Sequence, residues 1–392
     1  MKKARRSACV ADCLVIVVMV AMSVILFLAP AISAAAQRGP DVISVMTYEI
    51  GSSNYSAYGF IGEFMLKQYG TKVRAVPAGN DTARMLGLRS GTAQFAGQGV
   101  DAHYAMDGIT PRYTGRDWGP QDGLRMVWIA QHAGQAVAVR GSSNIHSIAD
   151  LKGKKLPWIP GSIMNDNAVG HLAYADLTWD DVKKVNVPGY IPSCQAVIDG
   201  TVDAVVAMVT TSTMYELAGS PYKLRWLQED SEEGKKKVRR AVEDLVPFTA
   251  TVGANLSESQ PLHCMTYAYP ATICYETLDE NVAYFMTKAI HEGYASMAKA
   301  NDMMKHYWKL ESFLELYQNY NFAILHPGTV RYLKEIGKWN SAFDKLQKDR
   351  TEHYKKLRSF WNTVLKEANE KKISDKEYPD FWLKKRASFL AK

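Results

Sequence analysis

Val42-Ile43-Ser44-Val45-Met46, then Gly51-Ser52-Ser53-Asn54-Tyr55, then the run from Tyr58 to Tyr69 read as strand, loop and helix. The order repeats at once, with a strand over Val73 to Val76, the turn Ala78-Gly79-Asn80-Asp81, and a helix over Asp81 to Leu88 capped by Asn80 or Asp81. Such alternation predicts an α/β fold with parallel strands. Further strands are expected at Ala93 to Ala96, Met126 to Ala130 and Ala136 to Arg140. Beyond Ser142 the grammar restarts, with strands over Lys155 to Ile159, Val185 to Val187, Ala204 to Val209 and Leu224 to Leu227. A charged stretch, Glu229 to Arg240, closes this second unit, and Phe248 to Val252 reads as a strand that returns the chain towards the first. A long helical region starts near Asp279. Two α/β lobes joined by crossing strands make a hinged cleft, and ligands of open α/β sheets sit where the strands' carboxyl ends face it.

At the N-terminus, Lys2, Lys3, Arg5 and Arg6 precede an apolar run from Leu14 to Ala29 and the small residues Ala34-Ala35-Ala36. This pattern predicts a cleaved export signal over 1–36, a mature chain starting at Gln37 and a periplasmic location; an uncleaved anchor is the other reading. Cys9 and Cys13 leave with the signal. Of the remaining Cys194, Cys264 and Cys274, the last two flank a short segment and form one possible pair, with a third thiol left over.

The 392 residues carry a formal charge of +7, and removal of the signal leaves +4. From Gly337 to Lys392 there are fifteen Lys or Arg against eight Asp or Glu, so the positive charge belongs to the tail. There Phe343, Leu346, Tyr354, Leu357, Trp361, Val364 and Ala368 fall at helical spacing, which predicts an amphipathic helix laid on the body of the protein. The tail lacks the aromatic and basic interleaving of a nucleic-acid groove.

Chemistry-bearing motifs are few. No two of the nine histidines stand three or four residues apart, and His291-Glu292 has alanine at 295 where a zinc-protease motif needs histidine. Neither a Gly-x-Ser-x-Gly elbow nor a phosphate loop is present, so no metal, cofactor or enzymatic activity is expected. Instead, small polar residues recur where strands give way to helices: Gly51-Ser52-Ser53-Asn54-Tyr55, Ala78-Gly79-Asn80-Asp81 and Pro160-Gly161-Ser162. Such turns offer backbone N–H groups and hydroxyls at helix N-termini, which suits an anion.

These loops, with Asp150-Leu151-Lys152-Gly153-Lys154-Lys155, Asp199-Gly200-Thr201-Val202-Asp203-Ala204 and the stretch from Leu325-His326-Pro327-Gly328 to Gly337, resemble the ordered landmarks of the TAXI family of TRAP-transporter solute-binding subunits, over about residues 41–337. The resemblance implies an α/β two-lobed type II periplasmic-binding-protein fold with a hinged interlobe cleft, to which the tail adds a helical C-terminal extension longer than the family core requires. It also implies a small carboxylate ligand such as glutamate or 2-oxoglutarate, and membrane subunits of a TRAP transporter as partner; a monomer with no nucleic-acid partner is expected. The expected division is lobe I over 37–140 and 246–337, lobe II over 141–245 and a basic tail over 338–392. By matching positions, Ser52, Ser53, Tyr55, Tyr58, Asn80, Gly161 and Ser162 are expected to line the cleft, and Asn54, Gly79, Asn165 and Thr210 complete the candidate set. Tyr55 and Tyr58 would cover the carbon chain of a carboxylate held by the hydroxyls and helix N-termini. A stand-alone receptor using the same trap is the alternative to a transporter subunit.

Overall fold

The computed structural model describes residues 39–130, 134–320 and 322–391; the expected signal, 1–36, lies outside them. In chain order the first lobe begins with β1 (Val42–Thr47), α1 (Ser53–Tyr69), β2 (Lys72–Pro77), α2 (Asp81–Arg89), β3 (Phe95–Gln98), α3 (Asp101–Asp107), α4 (Thr110–Tyr113) and β4 (Leu124–Ile129). The second lobe holds β5 (Gln135–Arg140), β6 (Lys155–Trp158), α5 (Met164–Ala173), β7 (Lys183–Asn186), α6 (Tyr190–Asp199), β8 (Ala204–Met208), α7 (Ser212–Gly219), β9 (Leu224–Trp226), α8 (Glu232–Ala241), β10 (Val246–Ala250) and β11 (Leu262–Thr266). The chain then returns through β12 (Ala271–Tyr275), α9 (Glu280–Ala300), α10 (Asp302–Tyr307), α11 (Leu310–Asn319) and α12 (Pro327–Glu335) to a tail of α13 (Ser341–Glu370) and α14 (Tyr378–Leu390).

One sheet runs β2-β1-β3-β12-β4 and the other β10-β11-β5-β8, with β9 also paired to β5, while β6 and β7 form a separate parallel pair. The chain therefore changes sheet twice, between β4 and β5 and between β11 and β12, which makes the protein a two-lobed, hinged α/β fold with a helical C-terminal region. Neither crossing falls at the division read from sequence: β5 pairs with β8, and β10 with β11, so 135–140 and 246–266 belong to the second sheet. The expectation of parallel strands holds for β1 with β2 and β3. It fails at β12, antiparallel to both β3 and β4, and throughout the second sheet, whose pairs are antiparallel. A strand arriving from the other lobe enters its sheet in the opposite sense to the strand that left it.

The core of the first lobe is built on the pleat: Ile43 and Val45 of β1, Phe95 of β3, Trp128 of β4 and Ile273 of β12 are fully buried. Cys194, Cys264 and Cys274 are buried free thiols. Burial pushes the Cys194 thiol up to about 12, and it also raises those of Cys264 and Cys274.

The tail is part of this lobe. Phe343, Leu357 and Trp361 are buried and Leu346 is half-buried, as the helical spacing predicts. Gln347 exchanges two hydrogen bonds with the backbone of Leu325, at 3.0 and 2.7 Å, and Arg350 donates to the carbonyls of Tyr317 and Ala323. In α14, Trp382 donates to the Gly108 carbonyl at 2.6 Å and packs edge-on to Trp361, while Arg386 pairs with Asp107. Trp361 lies against Gly119, whose φ of +63° and lack of room for a Cβ both require glycine.

Asp107 also meets His103 at 3.4 Å, and the other ring nitrogen of His103 lies 3.4 Å from Asp244 at the edge of the second lobe. Burial opposes protonation of this imidazole, but the two carboxylates outweigh it and push its pKa up to about 9. A pKa raised above the ordinary value of about 6.5 stabilises the fold fully below that pH, and the contribution is lost as pH rises through 9. The melting temperature should therefore fall between about pH 6.5 and 9, and His103→Gln should remove most of that slope; an unchanged slope in the variant would refute the assignment.

Candidate functional site

Both lobes use one local device to hold their first loop. After β1, Asn54 in the first turn of α1 accepts a hydrogen bond from Tyr48 N at 3.0 Å. After β6, Asn165 in the first turn of α5 accepts from Ile159 N at 3.0 Å and donates to Ile159 O at 2.6 Å. Each asparagine clasps the strand's exit to the helix that follows, so both read as loop supports rather than ligand contacts. The side of Gly97 presses on Asn54, where a Cβ would come within 2.3 Å of its amide.

Ser52 is the N-cap of α1, fully buried, with its Oγ accepting from Tyr55 N at 3.1 Å. That cap starts α1 at Ser53, five residues ahead of the helix read from sequence. Tyr55 is half-buried in the first turn. Tyr58, expected to cover a solute, is a core residue instead: it is 1% exposed, its hydroxyl meets Thr272 Oγ1 of β12 at 2.9 Å, and its ring packs edge-on to Trp308. Position 58 is in phase with the buried Ala57, Ile61 and Met65. Their period turns it inward.

The remaining candidates meet where the lobes touch. Asn80 caps α2 by accepting from Ala83 N at 2.8 Å and lies against Gly161, and Gly79 lies between Glu49 and Pro188. Gly161 O faces Thr82 N and Oγ1, each at 3.4 Å. Ser162, 2% exposed, donates from Oγ to Asp81 Oδ2 at 3.1 Å and accepts from Met164 N. Hence the serine expected to hold a solute's carboxylate holds a carboxylate of the protein.

Asp81 is the residue that sequence reading treated only as a helix start. It is fully buried and pairs with the equally buried Arg84. Arg84 also donates to Gln98 and the Ala78 carbonyl, and its guanidinium covers the Tyr48 ring at 3.3 Å. Tyr48 packs edge-on against Tyr190 of the second lobe and against Tyr269, which in turn contacts Tyr267. These four buried rings fill the centre of the cleft. Burial raises each of their phenols, so they stay neutral.

Beside this filled centre, a cavity of about 620 Å³ opens between the lobes. Ser53 and Ser56 of α1 and the segment from Lys299 to Met303 line it from one side, and Thr210, Tyr215 and residues 251–253 from the other. Two sequence candidates, Ser53 and Thr210, are thus brought together here. The Thr210 hydroxyl is buried without a hydrogen-bond partner. Gly253, at φ +157°, packs so closely on Val209 that a Cβ would come within 2.7 Å. The lining carries one cation, Lys299, one carboxylate, Asp302, and the N-terminal turn of the 17-residue α1. Ser53, Ser56, Thr210, Tyr215 and Thr251 add hydroxyls, and Val252, Leu256, Ala300 and Met303 add apolar surface. This suits a small polar solute. Among the described residues no group of three His, Cys, Asp or Glu side chains could hold a metal, and no helix is long and apolar enough to cross a membrane.

Residues 52–337, most of the chain and every lining residue named above, match the NMT1-like family. The chain belongs to that family. No curated protein matches the sequence. Among solved structures, this NMT1-like chain is similar to the alkanesulfonate-binding protein SsuA from Xanthomonas axonopodis pv. citri bound to MOPS, at 12% identity and a TM-score of 0.41 over 80% of this chain and 84% of that one. It is similar to the periplasmic aliphatic sulphonate binding protein SsuA from Escherichia coli at 15% identity and a TM-score of 0.41, over 82% and 88% of the two chains. An ancestral arginine-binding protein bound to arginine aligns at 18% identity and a TM-score of 0.38, over 68% and 96%.

The site's geometry separates two roles that the sequence merged. Tyr58→Ala should cost about 3–5 kcal/mol of folding stability in urea unfolding, as removal of a buried aromatic does, whereas Ser53→Ala should leave that stability within about 1 kcal/mol of wild type. A Tyr58→Ala protein as stable as wild type would contradict the placement of Tyr58 in the core.

Proposed function

We propose that this NMT1-like chain is an extracytoplasmic solute-binding protein that captures a small organic anion between its lobes and delivers it to the membrane subunits of a TRAP-type secondary transporter. The observation that carries the reading is the cavity of about 620 Å³ whose two walls come from different lobes: a solute there touches both sides of a hinge, so its contacts favour the form in which the lobes meet. Its size suits a ligand of a few carbons with room for water. The anion meets the first turn of α1 with Ser53 and Ser56, and Lys299 supplies the positive charge. A carboxylate such as glutamate or 2-oxoglutarate fits that lining, as the resemblance to TAXI subunits implies. Besides hydroxyls, the described lining offers one lysine and one carboxylate, Lys299 and Asp302, and neither histidine nor cysteine, which favours holding a solute over converting it.

The periplasm is where such a trap works, and the basic and apolar N-terminal pattern, cut after Ala36, would bring it there. The basic tail stabilises the first lobe and stands apart from the cavity. A receptor that reports closure to a signalling partner would use the same trap.

A thermal-shift screen of dicarboxylates and acidic amino acids tests the proposal. A solute at 100 times its Kd adds about 2.7 kcal/mol of stability, so an authentic ligand raises Tm by several degrees. Lys299→Met should abolish most of that shift without lowering the Tm of the empty protein. Stabilisation by neutral or basic compounds alone, or a full shift in Lys299→Met, would overturn the anion reading.

A further inference from the structure

Three helices of the second lobe begin at groups supplied by the first. At α5, Ser162 Oγ and Ile163 N donate to one oxygen of Asp81, at 3.1 and 2.9 Å. At α6, Ile191 N donates to Glu49 Oε2 at 2.9 Å, and the fit is so close that a Cβ on Gly189 would lie 2.0 Å from the other Glu49 oxygen. At α7, Ser212 donates to the Gly51 carbonyl from both Oγ and N, at 2.8 and 3.3 Å. These are first-turn donors with no partner inside their own helices. Each therefore finds its acceptor across the cleft.

We propose that Asp81 and Glu49 are built-in anions that hold the lobes closed without a solute. Asp81 divides its two oxygens between the lobes. Oδ1 accepts from Arg84 and from the Tyr48 hydroxyl, both in the first lobe, while Oδ2 accepts from Ser162 and Ile163 of the second. The charge is thus prepared in the first lobe and its free lone pairs are offered to the second. Arg112 adds a bridge of the same kind, pairing with Asp101 of its own lobe at 2.8 Å and with Asp166 in the first turn of α5 at 2.6 Å. Opening the hinge would exchange these hydrogen bonds to a buried carboxylate, made in a site closed to water, for bonds to solvent, and each charge-assisted bond is net favourable, so the contacts act as a latch.

The latch bears on the solute. Neither Asp81 nor Glu49 lines the cavity of about 620 Å³, so with the latch shut the solute's anion cannot take the starts of α5 or α6 and is confined to the α1 side. The closed form costs the solute little further ordering, at the expense of slow entry and release. This inference holds whatever solute the cavity takes.

Spin labels at Leu66→Cys on α1 and Tyr222→Cys before β9, both exposed positions in different lobes, measure the separation directly. The full-length protein is unfolded, dialysed and refolded to strip any solute, and its emptiness is checked by native mass spectrometry. The empty protein should give one short inter-label distance. Asp81→Asn with Glu49→Gln should add a population at longer distance, the closed-to-open ratio falling roughly tenfold for each charge-assisted hydrogen bond lost. Because Asp81→Asn leaves Arg84 without its carboxylate, Glu49→Gln with Ser212→Ala serves as a second variant that keeps that pair, and circular dichroism confirms that it is folded. An open distance distribution in the empty protein, or a second variant as closed as wild type, would overturn the latch. Both outcomes are independent of whether any solute is found in the screen.

Discussion

A single carboxylate, Asp81, organises the meeting of the two lobes. Removing such a charge from water costs several kcal/mol unless partners replace the water, and here each lone pair has a named partner. Arg84 and Tyr48 hold one oxygen; Ser162 and Ile163 hold the other. The guanidinium is itself buried and is satisfied by Gln98, the Ala78 carbonyl and the face of Tyr48. Half of this assembly exists in the first lobe alone. The other half forms only when the second lobe presents the start of α5. Much of the remaining architecture can be read as support for that event: Asn54 and Asn165 fix the two strand exits, and the four tyrosines exclude water from the space between them.

The position of the cavity follows from the same constraint. Where acidic groups of the first lobe already fill the helix starts of the second, no space is left for a solute at the middle of the cleft, and what remains open lies towards α1 and α7. Shape and charge are therefore set together. The tail has a different part. Through Trp361, Trp382 and Arg386 it braces the surface of α3 and its neighbours, and His103 passes that support on to Asp244 at the second lobe's edge.

What was legible in the sequence was whatever depends on neighbours in the chain. The period of Val42 to Met46, the caps Ser52 and Asn80 and the apolar stripe of α13 follow from local rules. The strands β11 and β12 were missed although Pro261 and Pro270 bracket the first of them, because their short, mixed sequences gain strand character from the sheets they enter. Ser53, named from loop chemistry and by matching positions, and Thr210, which completed the candidate set, do line one cavity. Tyr58, carried over by matching positions, was misplaced, since its phase with Ile61 and Met65 carried the better signal. Asp81 and Glu49 could not have been found: each acts on a helix start more than 80 residues away, and nothing in local sequence tells which loops face each other across a hinge.

Amide hydrogen exchange at Ile163 and Ile191 in the solute-free protein bears most directly on the central claim, that carboxylates of the first lobe cap helices of the second. First-turn amides have no acceptor within their own helix and exchange rapidly when water reaches them. Sharing a hydrogen bond with Asp81 and Glu49, both should be protected nearly as strongly as the strands around them. Rapid exchange at both positions, in protein whose β1 and β5 amides remain protected, would show that the lobes do not meet in this way and would contradict the account.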